Sequence, residues 1–283
     1  MWGLGKTIVA IIAIYKAVKS GYQATIMAPT AILATQHLES FNNILSKFNI
    51  KCELLIGSIT KKKKENILNK LKNGEIDVLI GTHAILEEDV QFKNLGLVIT
   101  DEQHRFGVRQ RSTIVQKGNN PDVLVMTATP IPRTLALILY GDLDISIINE
   151  LPPNRKPIKT YAVTKEMEQR VNNFIKKHLN EKRQCYIVCP LVEQNDEINA
   201  KAVMQVAEKY KNEIFRKYRV EYIHGKMRPK EKDLIMSEFK QGKIDVLIST
   251  TVIEVGVNVP NANIMIIESS QRFRPCCTSS IKR

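Results

Sequence analysis

The chain has 283 residues, 43% of them hydrophobic, which is enough for two ordinary domains each with its own core. Lysine and arginine outnumber aspartate and glutamate by 42 to 29, giving a net charge of +13 and a pI near 9.5, a balance that suits a polyanionic partner as well as a plain soluble surface. No apolar stretch reaches the roughly eighteen residues of a membrane span, and the lysine-broken amino end is no secretory signal, so the expectation is a cytoplasmic protein without a membrane partner.

Short β-rich apolar runs alternate with amphipathic helical stretches, the order that builds an α/β fold with a parallel sheet covered by helices on both faces. After a glycine-rich amino end, the pattern predicts a helix over 7–19, a strand over 24–28 and helices over 31–47 and 61–73. Strands follow over 77–80, 95–100 and 123–127. The second half predicts a helix over 165–180, a strand over 184–190, a helix over 196–218, a strand over 220–223, a helix over 229–241 and strands over 245–249 and 263–268.

Between the halves, Leu151-Pro152-Pro153-Asn154-Arg155-Lys156-Pro157 carries three prolines that forbid helix and disfavour a central strand. The expected organisation is a domain over 1–150, a linker over 151–160 and a second domain over 161–283. Lys72-Asn73-Gly74-Glu75-Ile76-Asp77-Val78-Leu79-Ile80 resembles Lys240-Gln241-Gly242-Lys243-Ile244-Asp245-Val246-Leu247-Ile248, and Thr82 and Ile85 match Thr250 and Ile253 at the same offset. Two readings are open: a duplicated unit, or twice the common combination of a helix-ending glycine and a buried strand. Lys61-Lys62-Lys63-Lys64 is either a phosphate-tracking run or a solvated helix start. Cys52, Cys185, Cys189, Cys276 and Cys277 show no paired metal-ligand spacing, and Cys185 and Cys189, four apart on one strand, should face the same buried side.

The chemistry gathers in two places. Gly3-Leu4-Gly5-Lys6-Thr7 is the end of a phosphate-binding loop: backbone N–H groups close around phosphates, the Lys6 ammonium reaches the β/γ oxygens, and the Thr7 hydroxyl is offered to Mg²⁺. Alone, five residues of this kind also occur in ordinary loops. Asp101-Glu102 changes the balance, because the pair follows the apolar run Leu95-Gly96-Leu97-Val98-Ile99, at the carboxyl end of a buried parallel strand where α/β sheets bind ligands. There Asp101 can hold Mg²⁺ and Glu102 can orient or deprotonate an attacking water.

With these residues in place the chain resembles the superfamily 2 helicases and, within them, the RecG-type branched-DNA helicases. Ala28-Pro29-Thr30 with Ala34-Thr35-Gln36-His37 resembles the family's Ia region, Gly81-Thr82-His83-Ala84 its Ib region and Asp101-Glu102-Gln103-His104 its Walker B segment. Thr127-Ala128-Thr129-Pro130 is similar to its motif III, a stretch shared with transcription-repair coupling factors, whereas Tyr140-Gly141-Asp142-Leu143-Asp144 and the proline linker look RecG-like. Ile223-His224-Gly225-Lys226-Met227 and the run from Ser249 to Pro260 resemble motifs IVa and V.

The resemblance implies two RecA-like domains that bind ATP and Mg²⁺ and step along DNA, branched or forked, as a monomer in repair and recombination. It implies phosphate and nucleotide contacts from Gly3, Gly5, Lys6, Thr7, Gln103, Thr127, Thr129, Glu254 and Gly256, metal contacts from Thr7 and Asp101, and catalytic roles for Lys6, Asp101, Glu102 and His104. Gln103 and His104 would sense the γ-phosphate and pass its state to Thr127 and Thr129, which otherwise merely cap the next turn. Arg105 and Arg133 are candidates for strand or inter-domain contacts, and Thr250, Thr251 and Glu254 for the nucleotide cleft. Asn258 stands where the family usually has an aspartate.

The family pattern also sets expectations for the ends. A wedge domain and the first domain's leading strand would precede Gly3, and an arginine motif would follow Phe273, where the chain instead reads Arg274-Pro275-Cys276-Cys277. Without an arginine finger, worth about 10³ to 10⁵ in turnover where it acts, the expectation is a helicase fragment with little hydrolysis of its own. The rival readings are the motor of a transcription-repair coupling factor and a non-catalytic remnant that binds nucleic acid through its basic surface.

Overall fold

A computed structural model describes residues 5–102, 106, 108–127, 144–148, 158–189, 196–250, 259 and 261–269. The chain divides into two compact units, Met1–Arg155 and Lys156–Arg283.

In the first unit the strands β1 (Gln23–Met27), β2 (Cys52–Leu55), β3 (Val78–Gly81), β4 (Leu95–Asp101) and β5 (Asp122–Met126) pair in the order β2-β3-β1-β4-β5, all parallel. Every residue of β1 and β3 is buried, as expected of central strands covered on both faces. Helices α1 (Lys6–Lys19) and α2 (Ala31–Leu45) bury Ile11, Ile14, Leu33 and Phe41 against Ile26, Leu97 and Ile99 on one face. On the other, α3 (Lys61–Asn73) and α4 (Val108–Val115) bury Ile67, Leu71 and Ile114 against Leu79 and Val98.

The second unit repeats this plan. Its strands β6 (Gln184–Cys189), β7 (Val220–Ile223), β8 (Val246–Thr250) and β9 (Ala262–Ile267) run parallel in the order β7-β8-β6-β9. Helices α5 (Glu168–Asn180) and α6 (Asp196–Lys209) contribute Ile175, Leu179, Val203 and Ala207 to one face, beside Cys185, Ile187 and Cys189. On the opposite face, α7 (Pro229–Lys240) sets Phe239 edge-on against Tyr186, ring centroids 4.7 Å apart.

The two open readings of the internal repeat now separate. Both glycines do end helices in left-handed geometry, Gly74 at φ 78° and Gly242 at φ 73°. The likeness goes much further, however. Cys52 pairs with Val78 as Val220 pairs with Val246, and both sheets shift register after the first residue of their central strand, at Gln23/Ala24 and at Gln184/Cys185. A buried glutamine opens each central strand: Gln23 Nε2 donates to Leu71 O and Ile76 O at 2.9 and 2.7 Å, and Gln184 Nε2 to Phe239 O and Ile244 O at 2.6 and 2.7 Å. Asp77 and Asp245 likewise each accept the N–H of Lys51 or Arg219. A helix-ending glycine before a buried strand requires none of these, and all of them are consistent with a duplicated unit.

Element boundaries differ from the sequence expectations where tertiary contacts intervene. The helix expected over 196–218 gives way at Tyr210 to a π turn, Tyr210–Ile214. This turn stacks Tyr210 on Phe215 with centroids 5.4 Å apart and lets the Tyr210 hydroxyl donate to Glu268 at 2.7 Å. Strand β2 and helix α4 were not expected at all.

Candidate functional site

The site is built at the carboxyl ends of β1 and β4. Along β4, Leu97 and Ile99 face the α1/α2 layer, and the period of two carries Asp101 to the same side just past the buried stretch. Both helices begin near that edge. Gly5 precedes α1 in the left-handed region at φ 74°, where glycine meets no Cβ penalty, and its carbonyl accepts the N–H groups of Ile8 and Val9. Among the described residues no side chain caps this helix, and its first turn carries no acidic residue but does carry Lys6. A helix N-terminus that starts with a lysine and has no side-chain cap among the described residues is a fitting cradle for phosphate. Lys6 and Thr7 are both half-buried.

Helix α2 is fixed differently. Thr30, extended at φ −133°, caps it by accepting the Leu33 N–H at 3.3 Å, and two turns on the helix presents His37, only 2% exposed. His37 Nε2 lies 2.9 Å from Asp101 Oδ2, while Asp101 Oδ1 accepts the Glu102 N–H at 2.9 Å. Burial pushes the Asp101 carboxyl up, but the His37 hydrogen bond and charge, the Lys6 ammonium and the Glu102 N–H outweigh it and hold the group below the usual carboxylate value. Asp101 is thus kept as an anion, the form a hard cation needs.

Glu102 is buried and adopts φ 52°, a left-handed conformation that an ordinary side chain enters at a cost of roughly 1 to 3 kcal/mol. Its Oε1 stands 3.9 Å from Lys6 Nζ. The chain therefore brings together the two halves of the sequence motif, Lys6 from the start of α1 and Asp101-Glu102 from the end of β4. Among the described residues no group of three or more His, Cys, Asp and Glu side chains could hold a metal by itself. A site with one strong carboxylate fits Mg²⁺, which usually takes one or two carboxylates and completes its shell from substrate phosphates and water.

Thr127 is half-buried just beyond β5. Thr250 ends β8. Gly3, Gln103, His104, Arg105, Thr129, Arg133, Thr251, Glu254, Gly256, Asn258, Arg272 and Arg274 lie outside the described residues. His37 belongs to the Ia-like segment, and no sequence signal gives it a role at the site. Of the lysine run, Lys61, Lys62 and Lys63 are exposed, while Lys64 Nζ sits 2.5 Å from Glu87 Oε2 and 2.7 Å from Asp89 Oδ2, which commits it to an intramolecular pair. Among the described residues no helix is long and apolar enough to cross a membrane.

Comparison with known proteins places the chain among helicases. Residues 2–138 match the DEAD/DEAH box helicase family, and residues 154–278 the helicase conserved C-terminal domain. The chain is 49% identical over 271 residues to the ATP-dependent DNA helicase RecG of Thermotoga maritima, covering 96% of this chain and 35% of that protein. It is also 49% identical over 272 residues to the RecG of Bacillus subtilis, again over 96% of this chain and 40% of the relative. A solved structure of RecG bound to a three-way DNA junction superposes with a TM-score of 0.80 at 45% identity, over 98% of this chain and 36% of that one. S. cerevisiae Dbp5 bound to RNA and ADP BeF3 shares the fold, with a TM-score of 0.68 at 17% identity over 99% of this chain and 73% of that one.

Proposed function

This chain belongs to the RecG-type superfamily 2 DNA helicases, and we propose on that footing that it hydrolyses ATP to drive movement on branched or forked DNA. The observation that carries the proposal is the meeting of Lys6, at the N-terminus of α1, with the anionic Asp101 and the strained Glu102. The chain spans 35% and 40% of the length of the two relatives above, so the whole protein's activity is argued from the site outward.

In this reading the α1 N–H groups, with Gly3 and Gly5, cradle the phosphates, and the Lys6 ammonium neutralises the β/γ oxygens. Thr7 and Asp101 would hold Mg²⁺, which when bound supplies neutralisation of the charge that develops on the transferred phosphoryl group. Glu102 orients the attacking water and accepts its proton. Gln103, His104, Thr127 and Thr129 report the γ-phosphate, and Glu254 and Gly256 complete the nucleotide-contacting set. DNA is the polyanion that the net charge of +13 suits. The protein acts as a monomer in the cytoplasm.

The test is ATP hydrolysis with no DNA, linear duplex and a forked duplex, by this chain and by one extended at both ends. This chain alone should hydrolyse little, and forked DNA should stimulate the extended chain most. Lys6→Ala should abolish nucleotide binding, while Glu102→Gln should keep Mg-ATP affinity and slow turnover by about 10²- to 10⁴-fold, the span of a lost general base. Undiminished hydrolysis by a folded Lys6→Ala variant would refute the site, and equal stimulation by linear and forked DNA would refute the preference for branches.

A further inference from the structure

A lysine and two acids explain phosphate and metal, but they leave one question about Asp101 open. A carboxylate at a strand end turns freely about its last torsion unless both oxygens are held. Here both are. Oδ1 takes the Glu102 N–H and Oδ2 meets His37 Nε2, each at 2.9 Å. An ionised aspartate only accepts, so Nε2 carries the hydrogen and donates it. Lys6 acts on Asp101 through its charge, while its ammonium stands 3.9 Å from Glu102 Oε1.

The ring that makes the contact is itself fixed. His37 is 2% exposed and packs against the fully buried Phe41 one turn further along α2, with ring centroids 5.7 Å apart at 57°. Thr30 sets the start of that helix and so the height of His37 over the sheet. A histidine that only filled core volume would need apolar neighbours and a local partner. This one instead spans 64 residues of sequence to reach the one carboxylate assigned to the metal.

We infer that His37 is a positioning residue: its Nε2–H fixes the Asp101 carboxylate so that the remaining lone pairs are presented to Mg²⁺ in one orientation. The inference rests on the reading of Asp101 as a metal ligand. Hydrogen-bonding partners of metal-bound carboxylates and imidazoles typically change metal affinity by about 10- to 100-fold when removed. The effect should therefore fall on the metal and spare the metal-free nucleotide.

The experiment titrates Mg²⁺ against binding of a fluorescent ATP analogue to the full chain, for the natural protein, His37→Phe, His37→Gln and Lys6→Ala. His37→Phe keeps a flat buried ring without a donor and should raise the half-saturating Mg²⁺ about 10- to 100-fold, with binding in EDTA unchanged. His37→Gln, whose amide N–H reaches a similar distance, should recover most of the affinity. A natural Mg²⁺ midpoint in folded His37→Phe overturns the inference, as does equal loss of metal-free binding, which marks a purely structural role. If His37→Phe fails to fold, ¹⁵N-histidine spectra of the natural protein decide: the His37 ring resonance should move when Mg²⁺ is added with nucleotide, and a fixed resonance overturns the inference. Absence of any Mg²⁺-dependent binding in the natural protein, or binding undiminished in Lys6→Ala, instead overturns the nucleotide site itself and this inference with it.

Discussion

The two buried glutamines offer a controlled comparison, since the same substitution at duplicated positions should differ in effect for a reason visible in the structure. Methionine keeps the length and approximate volume of glutamine while deleting both polar atoms. At Gln23 it removes two donors, to Leu71 O and Ile76 O, and an acceptor shared by the N–H groups of Lys93 and Asn94 at 2.7 and 3.0 Å. Leu71 O keeps the Gly74 N–H at 3.1 Å, so Ile76 O and the two partly buried N–H groups are left to water. At roughly 1 to 3 kcal/mol per buried orphan, discounted for the exposed residues, Gln23→Met should cost about 2 to 5 kcal/mol. At Gln184 the acceptor oxygen is buried without a partner among the described residues, and Phe239 O keeps the Gly242 N–H at 3.0 Å, so among them only Ile244 O loses its donor. Gln184→Met should therefore cost about 1 to 2 kcal/mol, partly offset by removal of the unpartnered oxygen. Hydrogen exchange read by mass spectrometry, peptide by peptide, reports each unit separately. Protection in β1 and β3 should fall about 30-fold further in the first variant than protection in β6 and β8 falls in the second, for a difference of about 2 kcal/mol. Equal losses, or a larger loss at Gln184, would refute the hydrogen-bond accounting.

Two further outcomes follow from packing and burial. A Cβ at Gly81 would lie 2.0 Å from Leu55 O and 3.1 Å from Ile85 Cδ1, so Gly81→Ala must part β2 from β3 and should lower stability by about 1 to 3 kcal/mol in urea unfolding; an unchanged midpoint would show that β2 yields freely. Burial pushes the Cys185 and Cys189 thiols up to about 12, the latter helped by Glu268, and burial with nearby Asp77 and Glu53 does the same for Cys52. Because Cys185 and Cys189 are buried and the raised values disfavour the thiolate, a Cys52→Ser, Cys276→Ser, Cys277→Ser variant at pH 8 should react with Ellman's reagent only as it unfolds. Rapid reaction of the folded protein would contradict this burial.

What the sequence made legible followed from how locally each element is determined. Helix α3 and strand β7 fall where the pattern predicts them, the first because Gly74 stops it in left-handed geometry and the second because its ends are polar turns. Strand β2 escaped notice because it is a four-residue edge strand with Glu53 in its middle and only Leu55 buried. Helix α4 shows too little helical period in the sequence, because beside the buried Ile114 stand the polar Arg109, Gln110, Ser112 and Thr113. The helix after Asp196 ends earlier than the pattern predicts, at a π turn whose Tyr210 hydroxyl reaches Glu268, 58 residues away and invisible to a local pattern.

The same distinction divides the candidate site. Lys6 with Thr7, and Asp101 with Glu102, were legible because each pair needs only neighbours along the chain: a glycine before a helix, an acid after a buried strand. Their meeting was legible too, since in a parallel sheet the helix starts and the strand ends gather at one edge. His37 was not. On the sequence it is, with Gln36, one of two polar residues among the apolar buried positions of its helix, and a buried histidine there normally pairs with whatever is near. Only the strand order makes Asp101 its neighbour: β4 lies beside β1, and α2, which follows β1, passes over the face from which Asp101 emerges. A ligand residue is announced by its motif, but the residue that holds the ligand still is announced by topology, and its substitution should be read in the metal dependence rather than in the fold.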